Sequence, residues 1–200
     1  MNRPASASPA SFAPGPLVLA GLIVLAALTR LLPHPPNFSP VEAIALFGGA
    51  HFASRRWALL VPVAGMALSD LVLALVNSAS YLDYLTSAAY LPSLVAVYVC
   101  IVLGTLMGFG LRGRVGGARV LGYSLAGSVL FFVVSNLATW LTAFAVPGYP
   151  ACSAGLLPCY VAALPFFQWT VLGTLFYSAV LFGGFALLRA RLPALRPQTV

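Results

Sequence analysis

PHPPNFSPVEAIALFGGAHFASRR, Pro33 to Arg56, is the stretch on which the reading of this chain turns. It opens with prolines, a lone His34 and the loop-forming Asn37-Phe38-Ser39-Pro40. Prolines carry no backbone donor, so Pro33–Pro40 cannot stand in hydrocarbon without partners; it belongs at an interface or along a cavity. Arg55 and Arg56 mark the opposite side as the one that stays in the cytoplasm. Between them Val41–Ala53 is apolar, rich in Ala and Gly, and shorter than a full crossing. It is expected to be shielded by protein, and its direction sets the direction of every other segment.

Composition places the whole chain in a membrane. Of 200 residues, 61% are hydrophobic and 6% charged, against roughly a quarter charged in soluble domains. The net charge of +7 invites a nucleic-acid reading, which the distribution rejects. All ten basic residues are arginines, and nearly all lie in short joints between apolar runs, the positive-inside pattern. Residues 1–16, rich in Pro, Ala and Ser, read as a disordered cytoplasmic tail.

Apolar segments follow at Leu17–Leu32, Val41–Ala53, Trp57–Val76, Ala88–Leu111, Val120–Val146 and Phe166–Leu188. The first, at 1.5 Å per residue, spans only roughly 24 Å. Nine of the ten arginines (Arg3, 55, 56, 112, 114, 119, 189, 191 and 196) fall at alternate joints. That arrangement predicts an all-α integral membrane protein of six transmembrane helices, residues 17–188, both termini cytoplasmic, with a basic tail over 189–200. The expected location is a bacterial inner membrane.

Arg30, His34 and the three acids Glu42, Asp70 and Asp83 then fall on the outer side. The irregular stretches Asn77–Ser87 and Pro147–Pro165 fall there too. Intramembrane charge and irregular backbone at membrane depth line cavities, so the outer half is the candidate binding site. Asp70 needs a partner, and Arg30 is the only basic residue at its depth: the pair is expected as a structural bridge, with ligand contact or proton coupling as the alternative.

Outer aromatics stand beside amides and hydroxyls, a mixture that suits a large, flat, amide-decorated ligand as well as an interfacial belt. The candidate ligand-binding residues are Asn77, Ser80, Tyr81, Tyr84, Tyr90, Asn136, Tyr160, Phe167 and Gln168. Small residues recur every fourth position at Ala45/Gly49/Ala53 and at Ala96/Cys100/Gly104/Gly108. Such stripes serve close packing within the chain or docking on a partner membrane subunit. Cys152 and Cys159 are open to a disulfide, a metal or simple burial, and Cys100 reads as packing. No nucleotide-binding loop, metal-hydrolase motif or GxSxG occurs, so neither ATP hydrolysis nor other enzymatic activity is expected. A thiol nucleophile at Cys152 or Cys159 is the enzymatic rival, with His34 its one nearby base.

The strings NFSPVEAIALFGGAHF (37–52), LSDLVLAL (68–75), SNLATWL (135–141), GLLPCYVAALPFF (155–167) and VLFGGFALL (180–188) carry a resemblance. The chain resembles the six-helix substrate-binding subunits, or S components, of energy-coupling-factor (ECF) type vitamin transporters. The likeness is greatest to the solitary BtuM-type branch for vitamin B12, over about Arg30–Leu188. It implies an S-component-like bundle with cobalamin or a related corrinoid as transported ligand at a periplasmic site; an S-type subunit for a different small vitamin, or a non-transporting membrane assembly subunit, is the alternative. The cobalt would be carried by the corrin, and no intrinsic cofactor is implied. The bilayer is an implied partner, and the resemblance implies either an ECF coupling subunit with its ATPases or a protein that acts alone. In that branch a cysteine in the loop after the third helix is thought to meet the cobalt; here Ser80 stands at that position, a poorer ligand than a thiolate. The docking motif that S components usually carry in the first helix is missing, its nearest equivalent being Ala45/Gly49/Ala53.

Overall fold

The computed structural model describes residues 14–77, 87, 90–143, 150–192 and 195. These form α1 (Pro14–Leu28), α2 (Val41–His51), α3 (Arg55–Val76), α4 (Leu91–Gly108), α5 (Gly117–Thr142), α6 (Pro150–Ser153), α7 (Leu156–Ser178) and α8 (Gly184–Arg191). Single turns of 3-10 helix extend α1 over Thr29–Leu31 and α4 over Phe109–Leu111, and a π segment, Ala179–Gly183, joins α7 to α8. No strand occurs among the described residues.

Four of the rods are long and apolar enough to cross a membrane: Arg55–Val76, Leu91–Leu111, Gly117–Thr142 and Leu156–Arg191. Their outward faces are hydrocarbon. Along α5, Leu121, Leu125, Val129, Val133, Leu137 and Leu141 form an exposed stripe at every fourth position. A continuous surface of that kind is a liability in water and ordinary against lipid.

The sequence-expected irregular stretch up to Pro165 is helical from Leu156 onward. Pro158 sits in the first turn of α7, where its missing N–H has no intrahelical partner to lose. The last rod therefore starts ten residues earlier than its apolar run suggests, and Pro165 lies inside it.

The centre of the molecule is α2. Its 11 residues span roughly 16 Å, about half of a ~30 Å hydrocarbon layer. Val41 to Ala50 are all buried, and α3, α4, α5, α7 and α1 pack around them. The two small-residue stripes face one another inside the chain. A Cβ on Gly49 would collide with the Thr105 carbonyl and stand 2.9 Å from Gly108 Cα, so α2 and α4 touch backbone to backbone, as small residues permit. Gly49, Ala45 and Gly108 are therefore used in packing within the chain.

One end of the bundle is basic. Arg112 donates from Nε to Gly49 O and from Nη2 to Phe52 O, both at 2.9 Å, capping the last carbonyls of α2. Its guanidinium also stacks 4.1 Å from the Phe109 ring centroid. Beneath it Phe47, Phe182, Phe185 and His51 form an aromatic cluster, Phe47 meeting Phe182 edge-on at 5.3 Å. The far ends of the same rods enclose the candidate site.

Candidate functional site

At the end remote from these arginines, the turn Pro33–Pro40 folds over the bundle. Asn37 takes φ +66°, a left-handed conformation that asparagine tolerates better than most residues. The turn is wedged against α7, where a Cβ at Gly173 would stand 2.9 Å from Ser39 N.

Under this turn Arg30 and Asp70 meet, Nη1 to Oδ1 at 2.6 Å. Arg30 Nη1 also lies 3.2 Å from Ser69 Oγ, and that hydroxyl donates to Ala27 O at 2.9 Å. The second carboxylate oxygen of Asp70 accepts from the Tyr98 hydroxyl at 2.8 Å. The cluster ties the end of α1 to α3 and α4. Tyr98 was absent from the sequence expectation because nothing in its local sequence marks which way it faces. His34 bonds only locally, Nδ1 to Pro35 O at 3.0 Å, and is exposed.

Beside this network opens a cavity whose larger chamber measures about 560 Å³. Its walls are Tyr90, Ser93 and Val97 of α4 and its approach, Phe131, Phe132, Ser135, Asn136 and Thr139 of α5, and Cys159, Phe166 and Thr170 of α7. A smaller chamber of about 160 Å³ shares Asn37, Tyr90, Val97 and Phe131 with it and reaches Arg30 and Asp70. Among the described residues no charged side chain lines the larger chamber.

Three hydroxyl and amide donors of α5 in that wall turn back onto their own helix. Ser135 donates to Phe131 O at 2.7 Å, Asn136 Nδ2 to Phe132 O at 2.8 Å and Thr139 to Ser135 O at 3.0 Å. What they offer the cavity is acceptor oxygen among aromatic rings. The chemistry suits a flat, uncharged or donor-rich ligand.

A disulfide, Cys152–Cys159, joins α6 to α7 and lies in the cavity wall. Of the readings left open by the sequence, this is the one the structure contains. Cys100 is a buried free thiol.

The expected binding residues divide. Tyr90 and Asn136 line the cavity. Tyr160 instead donates to Val133 O at 2.7 Å and packs on Phe132, and Phe167 packs on the same ring at 4.8 Å. Gln168 is exposed, its amide on Pro165 O, and Asn77 is exposed at the end of α3, its amide on Leu73 O. These four stand outside the cavity wall because helix rotation, which the sequence does not display, turns them away. Ser80, Tyr81 and Tyr84 lie outside the described residues.

The sequence reading also passed over Glu42 as one acid among three. It is 2% exposed, and neither carboxyl oxygen has a hydrogen-bond partner among the described residues. Its position in the first turn of α2 favours the anion by about 0.3–1 kcal/mol. Burial of an uncompensated charge costs several kcal/mol.

Residues 10–195 match a family of unknown function, DUF6580. Neither the curated proteins nor the solved structures hold a match.

Proposed function

We propose that this chain, which belongs to the DUF6580 family, is a multi-pass membrane protein that binds a small vitamin-like solute and carries it across a bacterial inner membrane. In this reading the bundle crosses six times with both termini in the cytoplasm, and the cavity opens outward. α1 and the protein-walled α2 make the two short crossings.

The observation that carries the reading is the composition of the larger chamber. About 560 Å³ falls within the roughly 300–1,000 Å³ of sites for small organic ligands. Aromatic rings and acceptor oxygens without charge suit a planar heterocycle bearing N–H or O–H donors. A compact solute fits this space better than a corrin with its full fringe of amides. Among the described residues no group of three or more His, Cys, Asp or Glu could hold a metal, and a metal carried by the solute would meet oxygen ligands here.

Cobalamin is the second reading. The resemblance to the B12 branch of the ECF S components favours it, and acceptor oxygens such as Asn136 Oδ1 would receive the amide donors of a corrin. An ECF coupling module remains the proposed partner of either reading, docked elsewhere than on the buried Ala45/Gly49 stripe.

Purification in mild detergent, followed by mass analysis and visible spectra of the retained small molecule, separates the readings. A compact heterocycle is expected. Corrin absorption would install cobalamin instead. If nothing is retained, and a panel including thiamin, riboflavin, biotin and cobalamin leaves the melting temperature unmoved, the solute-binding reading is wrong.

A further inference from the structure

We propose that Glu42 is a proton-binding site beneath the distal cavity, a neutral acid in the closed state that exchanges its proton with the cavity when the wall between them opens. Its purpose, coupling proton movement to solute movement, rests on the transport reading above; its test does not.

Three observations converge on this side chain. It is buried, with both carboxyl oxygens unpartnered among the described residues. Two neighbouring helices leave bare backbone where the carboxyl sits: a Cβ at Gly104 of α4 would stand 3.2 Å from Oε2, and one at Gly127 of α5 would stand 3.3 Å from it. The pocket around the acid is therefore formed by the absence of side chains from two different rods. And it lies directly under the cavity. The preceding residue, Val41, lines the smaller chamber, and Val97 of α4 and Phe131 of α5 line both chambers. Val97 is two turns from Gly104 and Phe131 about one turn from Gly127, so roughly 6–10 Å separates the acid from the cavity floor.

A proton fits this site better than a metal cation. Sodium or calcium needs about six oxygen ligands, whereas the carboxyl faces Gly104 and Gly127 within helices, and among the described residues no group of three or more His, Cys, Asp or Glu could hold a metal. A proton needs only the carboxyl. The acid also has a second stable state within reach. It occupies the first turn of α2, where free backbone N–H groups support an anion once water enters. In each exchange the proton leaves one carboxyl oxygen for cavity water and returns by the same path, and no other bond changes.

The other ionisable groups on the surrounding helices are committed elsewhere. Asp70 of α3, Arg30 beyond α1 and Tyr98 of α4 hold one another. Tyr177 of α7 is bonded to Thr29 Oγ1 at 2.7 Å. Cys100 of α4, one turn from Gly104, is a buried thiol. On α5, Tyr123 and Arg119 lie toward the basic end beside Gly110, as do Arg55 and Arg56 at the start of α3. His51, nine residues along α2 itself, sits in the aromatic cluster at that end.

Glu42 is the only glutamate in the chain, which gives a direct test without any substitution. The full-length protein, reconstituted in lipid, is labelled with carbon-13 at the glutamate side-chain carboxyl and followed by infrared and solid-state NMR spectroscopy. The expected signal is a carboxylic acid at neutral pH that shifts in heavy water, converts to carboxylate in alkaline buffer and is abolished by Glu42→Gln. A carboxylate at neutral pH overturns the proposal. An acid signal that neither heavy water nor alkali moves also overturns it, because the group is then a sealed structural acid. Failure to find any bound solute would sink the transport reading and leave this spectrum unchanged.

Discussion

The Tyr98 hydroxyl donates to Asp70 Oδ2 at 2.8 Å while Arg30 holds the other carboxylate oxygen at 2.6 Å. Asp70 thus joins three rods with both of its oxygens. Asp70→Asn and Arg30→Gln are each expected to lower stability in detergent by about 3 kcal/mol, since each leaves a buried charge uncompensated. The double variant should lose clearly less than the sum. Tyr98→Phe should cost about 1.5–3 kcal/mol, the range for a hydrogen bond to a charged group. Thermal melts of the four variants check this, and strict additivity of the Arg30 and Asp70 changes would show that the pair does not act as one.

The contact between α2 and α4 makes a second expectation sharp. Gly49→Ala puts a methyl into the Thr105 carbonyl and Gly108, and overpacking of this kind costs about 1–3 kcal/mol. Gly122→Ala on α5 meets nothing within 4 Å and should be neutral or stabilising by about 0.5–1 kcal/mol, because alanine is the better helix former. Equal melting temperatures for the two alanine variants would contradict the close approach.

Thiol counting tests the α6–α7 staple. Under denaturing, non-reducing conditions one thiol, Cys100, should react with a maleimide, and reduction should raise the count to the three cysteines of the chain. Cys152→Ser should destabilise by about 2–3 kcal/mol through the freed short loop. Three reactive thiols before reduction would rule the bridge out.

Cavity variants separate wall from bystander. Asn136→Ala and Phe131→Ala should each weaken binding of the co-purifying solute by about tenfold, or ~1.4 kcal/mol. Gln168→Ala and Asn77→Ala, which remove exposed amides outside the wall, should leave the affinity unchanged. Titration of purified protein measures this, and the reverse ranking would move the binding site out of the cavity.

Composition and the placement of charge, read from the sequence alone, determined the class of this protein and much of its plan. Sixty-one per cent hydrophobic residues, with nine of the ten arginines at alternate joints, leave a multi-pass helical membrane protein as the consistent architecture. The shortness of Val41–Ala53 already required a protein jacket, and Asp70 had one cation at its depth to meet. These are requirements of solvation, and they act on residues one at a time. Only the tertiary structure decided which side of each rod faces inward. Helices that are apolar all round carry no amphipathic stripe, so protein-facing and lipid-facing sides look alike in sequence. That is why Tyr90 and Asn136 reach the cavity while Tyr160, Phe167 and Gln168 do not, and why Tyr98 and Ser69 entered the Asp70 network unannounced. It is also why Glu42 could not be told from any other helix-start carboxylate: its lack of partners depends on Gly104 and Gly127, two positions far along the chain that packing alone brings to its side.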